Sequence, residues 1–181
     1  VVGLALAYMR LMVVAINQPD AASNTKTISS DATGGDCTSI GTWDWATETC
    51  TLTPRSTLSG TIGIYGSGIT LDGAGSTLDS GTKSRTDGGL LFNVGGVTVR
   101  NLKVTGFTNG IRINGFGGNT LICNTLENNG TGIVIESSDS NNISLNTMTG
   151  NDLGIGTSDS TGNSIRDNKL TGNTDQAQDD G

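Results

Sequence analysis

Four short phrases recur between residues 97 and 173: VRNLKVTG at 99–106, CNTLENNG at 123–130, LNTMTGND at 145–152 and DNKLTGNT at 167–174. Aligned on their asparagines they give a row at Asn101, Asn124, Asn146 and Asn168, with spacings of 23, 22 and 22 residues. A second row follows five residues on, at Gly106, Asn129, Asn151 and Asn173. A third sets Gly110-Ile111, Gly132-Ile133 and Gly154-Ile155 in the same period. A short fixed period is the mark of a solenoid, in which each repeat touches only its neighbours.

A leucine-rich repeat has a similar length, but its leucine skeleton is missing. What recurs is three short strand-like runs per period: TLICN, TLENN and GIVIE, then a polar SSDSNN bend. Alternating apolar residues mark strands with one buried face. Gly and Asn tolerate the left-handed backbone of sharp bends. Three strands and three bends close one triangular coil, and coils stack at about 4.8 Å as parallel strands. Asparagines in register then hydrogen-bond along the stack. The expected ladder residues are Asn101, Asn124, Asn146, Asn168, Asn129, Asn151 and Asn173. The expected bore rows are Ile111, Ile133 and Ile155; Ile113 and Ile135; Leu121, Ile143 and Ile165; and Leu126, Met148 and Leu170.

GITLDGAGSTL (68–78), VTVRNLKVTGFTNGIRI (97–113) and the N-x-L-x-x-N coils carry a resemblance. Over roughly residues 56–173 the chain resembles the right-handed parallel β-helix repeat family of the carbohydrate-binding and sugar-hydrolase (CASH) type, which includes NosD-like periplasmic and archaeal surface proteins. The resemblance implies an all-β fold. It leaves function open, because the same coil serves lyases, hydrolases, epimerases, adhesins and structural proteins.

Hydrophobic content of 33% and aromatic content of 4% are low for a globule. A narrow bore needs few, mostly aliphatic, residues. The formal charge is −7 with no histidine, so there is no basic stripe for nucleic acid and no imidazole for acid–base work or metal binding. No cofactor and no metal are expected. Cys37 and Cys50 flank TWDW (42–45) and read as a disulfide in a secreted chain. Cys123 reads as a small buried hydrophobe.

The chain divides into an apolar element at 1–16, a connector with the cysteine-closed loop at 17–55, the β-helix at 56–175, and a polar tail at 176–181. The stretch VVGLALAYMRLMVVAI can cap the solenoid, dock on another subunit or be a leader or anchor remnant. A transmembrane span needs about 20 residues, and membrane association of the mature form is not expected. Residues 79–89 read as a polar loop leaving the helix, and the tail as too short for another coil.

Paired carboxylates or a base beside acidic residues would be needed for glycan chemistry. The outward rows Arg112, Val134, Gly156 and Glu127, Thr149, Thr171 stack none. Asp139 and Asp159 lie in similar bends and could neighbour each other. If the chain is an enzyme, the charges to watch are Asp79, Lys83, Arg85 and Asp87. Trp43 and Trp45 are either core and rim or a sugar-stacking platform. Short threonine rows, Thr125 with Thr147 and Thr149 with Thr171, offer a weaker ice-binding reading. The expectation is a non-catalytic extracellular or cell-surface module, structural or adhesive, associating with itself end to end. The alternative is a carbohydrate-active or carbohydrate-binding β-helix with polysaccharide as partner.

Overall fold

The computed structural model describes residues 25–81 and 88–179. Numbered in chain order, the strands fall into three parallel stacks. The first sheet orders β1 (Lys26–Ile28), β5 (Ile62–Ile64), β8 (Gly88–Phe92), β11 (Asn109–Asn114), β14 (Thr131–Glu136), β17 (Leu153–Ser158) and β20 (Asp175–Asp179). The second runs from β2 (Gly41–Asp44) through β3 (Thr49–Leu52), β6 (Thr70–Asp72), β9 (Thr98–Arg100), β12 (Thr120–Ile122) and β15 (Asn142–Ser144) to β18 (Ser164–Arg166). The third runs from β4 (Thr57–Ser59) through β7 (Thr77–Asp79), β10 (Lys103–Thr105), β13 (Thr125–Glu127) and β16 (Thr147–Thr149) to β19 (Lys169–Thr171). One strand from each sheet makes a coil, and the protein is a parallel β-solenoid.

Register follows the 22-residue period. Ile111, Ile133 and Ile155 stand over one another, as do Leu121, Ile143 and Ile165, and Leu126, Met148 and Leu170. Their alternation puts one residue in two into the bore, where Ile111, Leu121, Leu126, Ile133, Ile143 and Met148 are fully buried. Each such side chain gives about 1.5–3 kcal/mol of burial free energy. A narrow triangular bore is thus filled by aliphatic rows with little need for aromatic residues.

The period is enforced at the corners. Gly118 and Ser140 precede Asn119 and Asn141; Cys123 and Leu145 precede Asn124 and Asn146; Asn128 and Gly150 precede Asn129 and Asn151. All six preceding residues have left-handed φ between 56° and 72°. Each corner thus turns the chain and presents the next residue inward.

The structure moves three segment boundaries. The stretch 17–55 is more than a connector, because β1 and β3 already belong to the parallel sheets. The residues between them close that end of the solenoid. Asp36 donates its N–H to Thr27 O (2.7 Å) and accepts the Thr27 N–H (2.8 Å), which occupies the edge of β1. The one-turn helix α1 (Cys37–Ile40) and the antiparallel β2–β3 hairpin cover the second sheet. The tail is also part of the stack. β20 pairs in parallel with β17 because an exposed edge accepts any extended backbone, polar side chains included. Finally, β7 and β8 bring the polar excursion down to the residues between Asp79 and Gly88. The apolar element at 1–16 lies outside the described residues.

Candidate functional site

Three asparagine ladders line the corners. In the first, Val97 N–H donates to Asn119 Oδ1, and Asn119 and Asn141 pass the pattern on to Asn163. In the second, Leu102 N–H donates to Asn124 Oδ1, followed by Asn146 and Asn168. In the third, Phe107 N–H donates to Asn129 Oδ1, followed by Asn151 and Asn173. In the second and third ladders the remaining amide proton reaches a bore-strand carbonyl one coil back, as from Asn124 to Val99 O and from Asn146 to Leu121 O. In the first, Asn119 and Asn141 donate to Phe116 O and Ser138 O of their own coil. Each buried amide therefore has partners at both ends, which removes the cost of burying it.

Asn101 is not on a ladder. The position below Asn124 is Leu102, and Asn101 is the exposed left-handed corner residue (φ 55°) aligned with Cys123, Leu145 and Asp167. Its amide donates to Asp72 Oδ1 at 3.2 Å instead. The 23-residue spacing to Asn124 was a one-residue change of register, and Gly106 stands beside Phe107 in the same way. The ladder of Asn119, Asn141 and Asn163 was missed, although its spacing of 22 residues is plain in the sequence.

Cys123 is exposed, contrary to its reading as a buried hydrophobe, because the corner turns its side chain outward. Cys37 and Cys50 form a disulfide, with Cα atoms 5.8 Å apart, pinning α1 to β3. Trp43 is half-buried against the core, while Trp45 is 59% exposed past the end of β2. One ring rather than two is offered to solvent.

Among the residues considered for catalysis, Asp79 ends β7 and accepts the Gly81 N–H at 3.0 Å. Lys83, Arg85 and Asp87 lie outside the described residues. Asp139 does not stack on Asp159. It accepts the N–H (2.7 Å) and hydroxyl (3.1 Å) of Thr161, its neighbour at the 22-residue period. The threonine rows stand as spaced, Thr125 beside Thr147 and Thr149 beside Thr171, but Lys169 and Glu127 continue them.

Three other carboxylates also bridge coils to a cation. Glu127 meets Lys103 Nζ at 2.6 Å, Glu136 meets Arg112, and Asp72 meets Arg100 Nε at 2.8 Å. Burial pushes the Asp72 carboxyl up, but the Ala74 N–H, the Asn101 amide and the Arg100 guanidinium outweigh it and hold it below 3.8. In the closing loop Asp31 lies far below the ordinary range, chiefly through the Ser29 hydroxyl, with Thr33 and Gly35 adding to it.

The first sheet carries a shallow outward groove that sequence reasoning passed over. Leu91, Asn93, Arg112, Asn114 and Phe116 line a depression of about 260 Å³. Glu136 Oε2 accepts from Arg112 Nε (3.1 Å), Arg112 Nη2 (2.8 Å) and Asn114 Nδ2 (3.2 Å), so these planar groups are fixed in place. Phe116 stands 39% exposed beside them. A second, separate depression on the same sheet is lined by residues including Val134, Leu153, the side-chain-free Gly156 and Gln178. The signal in the sequence is the pair Asn114 and Glu136, 22 residues apart, flanking the outward row of Arg112 and Val134.

Fold and corners define the class: a ladder-stapled parallel β-solenoid with a disulfide-closed end. The chain belongs to the NosD family, described as periplasmic copper-binding protein, whose model matches residues 15–181. No curated protein and no solved structure matches it. A periplasmic family and a disulfide both fit an extracellular or periplasmic location. The copper of the description has poor donors here. The chain has no histidine, and no group of three His, Cys, Asp or Glu that could hold a metal occurs among the described residues.

Proposed function

We propose that the protein is a non-catalytic structural or adhesive module at the cell surface or in the periplasm, a stiff rod with one closed end. The observation that carries this reading is where the polar groups go. Asn119, Asn124, Asn129, Asn141, Asn146, Asn151 and Asn173 are buried in ladders, and Glu127, Glu136, Asp72 and Asp139 join one coil to another. These groups hold register rather than converge on a substrate. Stacked amide networks rigidify when every member is satisfied.

Association between copies is the finer part of the proposal. The apolar stretch 1–16 supports it, as a segment able to cover an apolar surface of another copy. Negative-stain microscopy of the full chain beside one lacking residues 1–16 tests it. Filaments that vanish on truncation are expected. Monodisperse monomers of the full chain at every concentration would refute self-association, and turnover of any polysaccharide would refute the non-catalytic part.

A second reading, glycan binding, is favoured by the groove. Phe116 offers a ring face, and Arg112 and Asn114 offer fixed donors, beside an aliphatic floor. Affinity electrophoresis in gels containing neutral or anionic polysaccharide discriminates. Retardation lost in F116A but retained in T149A, on another face, would promote this reading; unretarded migration in every gel would remove it.

A further inference from the structure

We propose that this solenoid does not coordinate copper through its own side chains, although its family is described as copper-binding. The argument rests on donor chemistry. Cu(I) selects thiolate and thioether sulfur, and both copper oxidation states are commonly held by imidazole. The chain has no imidazole, three cysteines and three methionines. Cys37 and Cys50 are joined to each other and buried, so neither offers a thiolate. Met148 is fully buried between Leu126 and Leu170 in the bore, where its thioether is walled off from solvent.

That leaves Cys123 as the one free thiol of the chain. It is exposed at its corner, and the residues at the same corner of the adjacent coils are Asn101 and Leu145, which bring no sulfur and no imidazole. A single exposed thiolate does not complete the coordination of Cu(I). The carboxylates offer no substitute, because most of those described are committed to cations or hydroxyls of the next coil, or to backbone N–H groups. Hard oxygen donors scattered along an axis also suit Mg²⁺ or Ca²⁺ better than copper. Met9 and Met12, three apart in the apolar stretch 1–16, are the remaining thioethers. Two thioethers without a thiolate or imidazole make an incomplete set, and they lie outside the described residues. The inference is independent of the structural role proposed above: a scaffold can bind copper or not.

The test is a titration of the full oxidised chain with Cu(I) in competition with bicinchoninate, and separately with Cu(II), followed by desalting and metal analysis. No measurable retained copper is expected in either state, with no visible absorption band and no shift of the melting temperature, since a ligand of the native state alone must raise it. One equivalent of copper retained by the M9L/M12L double variant as by the wild type, with a raised melting temperature, would overturn the inference. C123S and the M9L/M12L double variant then identify the donor. Retention lost in C123S would place copper on the corner thiol. Retention lost only in M9L/M12L would place it on the apolar stretch and leave the solenoid itself metal-free, as inferred.

Discussion

Asn124 donates both its backbone N–H and its side-chain Nδ2 to a single oxygen, Oδ1 of Asn146, at 2.9 and 3.1 Å. Asn146 repeats the pattern on Asn168 one coil further on. One amide therefore satisfies two donors of the previous coil while its own protons reach Leu121 O and Ser144 O. Truncation removes an acceptor that two buried groups share.

Asn146→Ala should cost about 2–6 kcal/mol, from two orphaned donors at roughly 1–3 kcal/mol each. Asn101→Gly, at the same corner two coils back but exposed and off the ladder, should change stability by less than about 0.5 kcal/mol, since glycine accepts the left-handed corner. Urea unfolding of the two variants checks the contrast. Equal losses would mean that the stacked amides carry no special weight.

These two asparagines also show what could be read from the chain alone. The period, the three-strand coil and the bore rows were legible because each depends on spacing, and spacing is what a solenoid preserves. The assignment of Asn101 failed because matching residue type overrode matching position. Leu102 can occupy the ladder site since its backbone N–H, not its side chain, donates to Asn124. The closed end was illegible for a different reason. Residues 29–52 do not repeat, and their contacts with β1 join residues close in space through a turn of irregular backbone. The groove needed the outward face of three coils viewed together, which periodic reading of the inward face does not supply.

Glycine at the start of the first-sheet strands has a steric reason. A Cβ on Gly132 would sit 2.5 Å from Gly154 O, and one on Gly110 would sit 2.6 Å from Gly132 O. Backbone carbonyl of the next coil cannot give way without breaking its own strand pairing. Gly132→Ala should therefore destabilise by about 1–3 kcal/mol, the usual range for overpacking. Gly75→Ala, where a Cβ meets nothing within 4 Å, isolates the backbone strain of a left-handed position, about 1 kcal/mol. Comparable chemical melts would show that close stacking is not limiting at Gly132.

Acid should act through Asp72. Its folded-state carboxyl lies below 3.8, the ordinary value that the unfolded chain restores. A depressed carboxyl contributes stability that is fully present above the unfolded value and lost as pH falls through the folded one. The melting-temperature gap between the wild type and Asp72→Asn should hold steady from neutrality to about pH 5 and close below about pH 4. Carboxylates unchanged in both proteins cancel in the difference. A gap that stays constant to low pH would show that the Arg100 and Asn101 contacts do not depend on the charge.

The Cys37–Cys50 bond ties α1 to β3, the strand on which the parallel pairing of the second sheet begins. It closes a 13-residue separation, for which loop entropy gives about 3 kcal/mol. In a solenoid each coil leans on its neighbours only, so a loss at one end need not spread. The C37A/C50A double variant should lose about 2–4 kcal/mol of apparent stability, and the loss should be local. Amide exchange should accelerate in residues 29–52, where Asp36 and the β2–β3 hairpin close the end, while the N–H groups of Asn124, Asn129 and Asn146 keep their protection. The ladder coils would then unfold at nearly the wild-type midpoint. Uniform acceleration along all three ladders would instead mean that the closed end nucleates the stack, and that the coils hold register only while their first member is pinned.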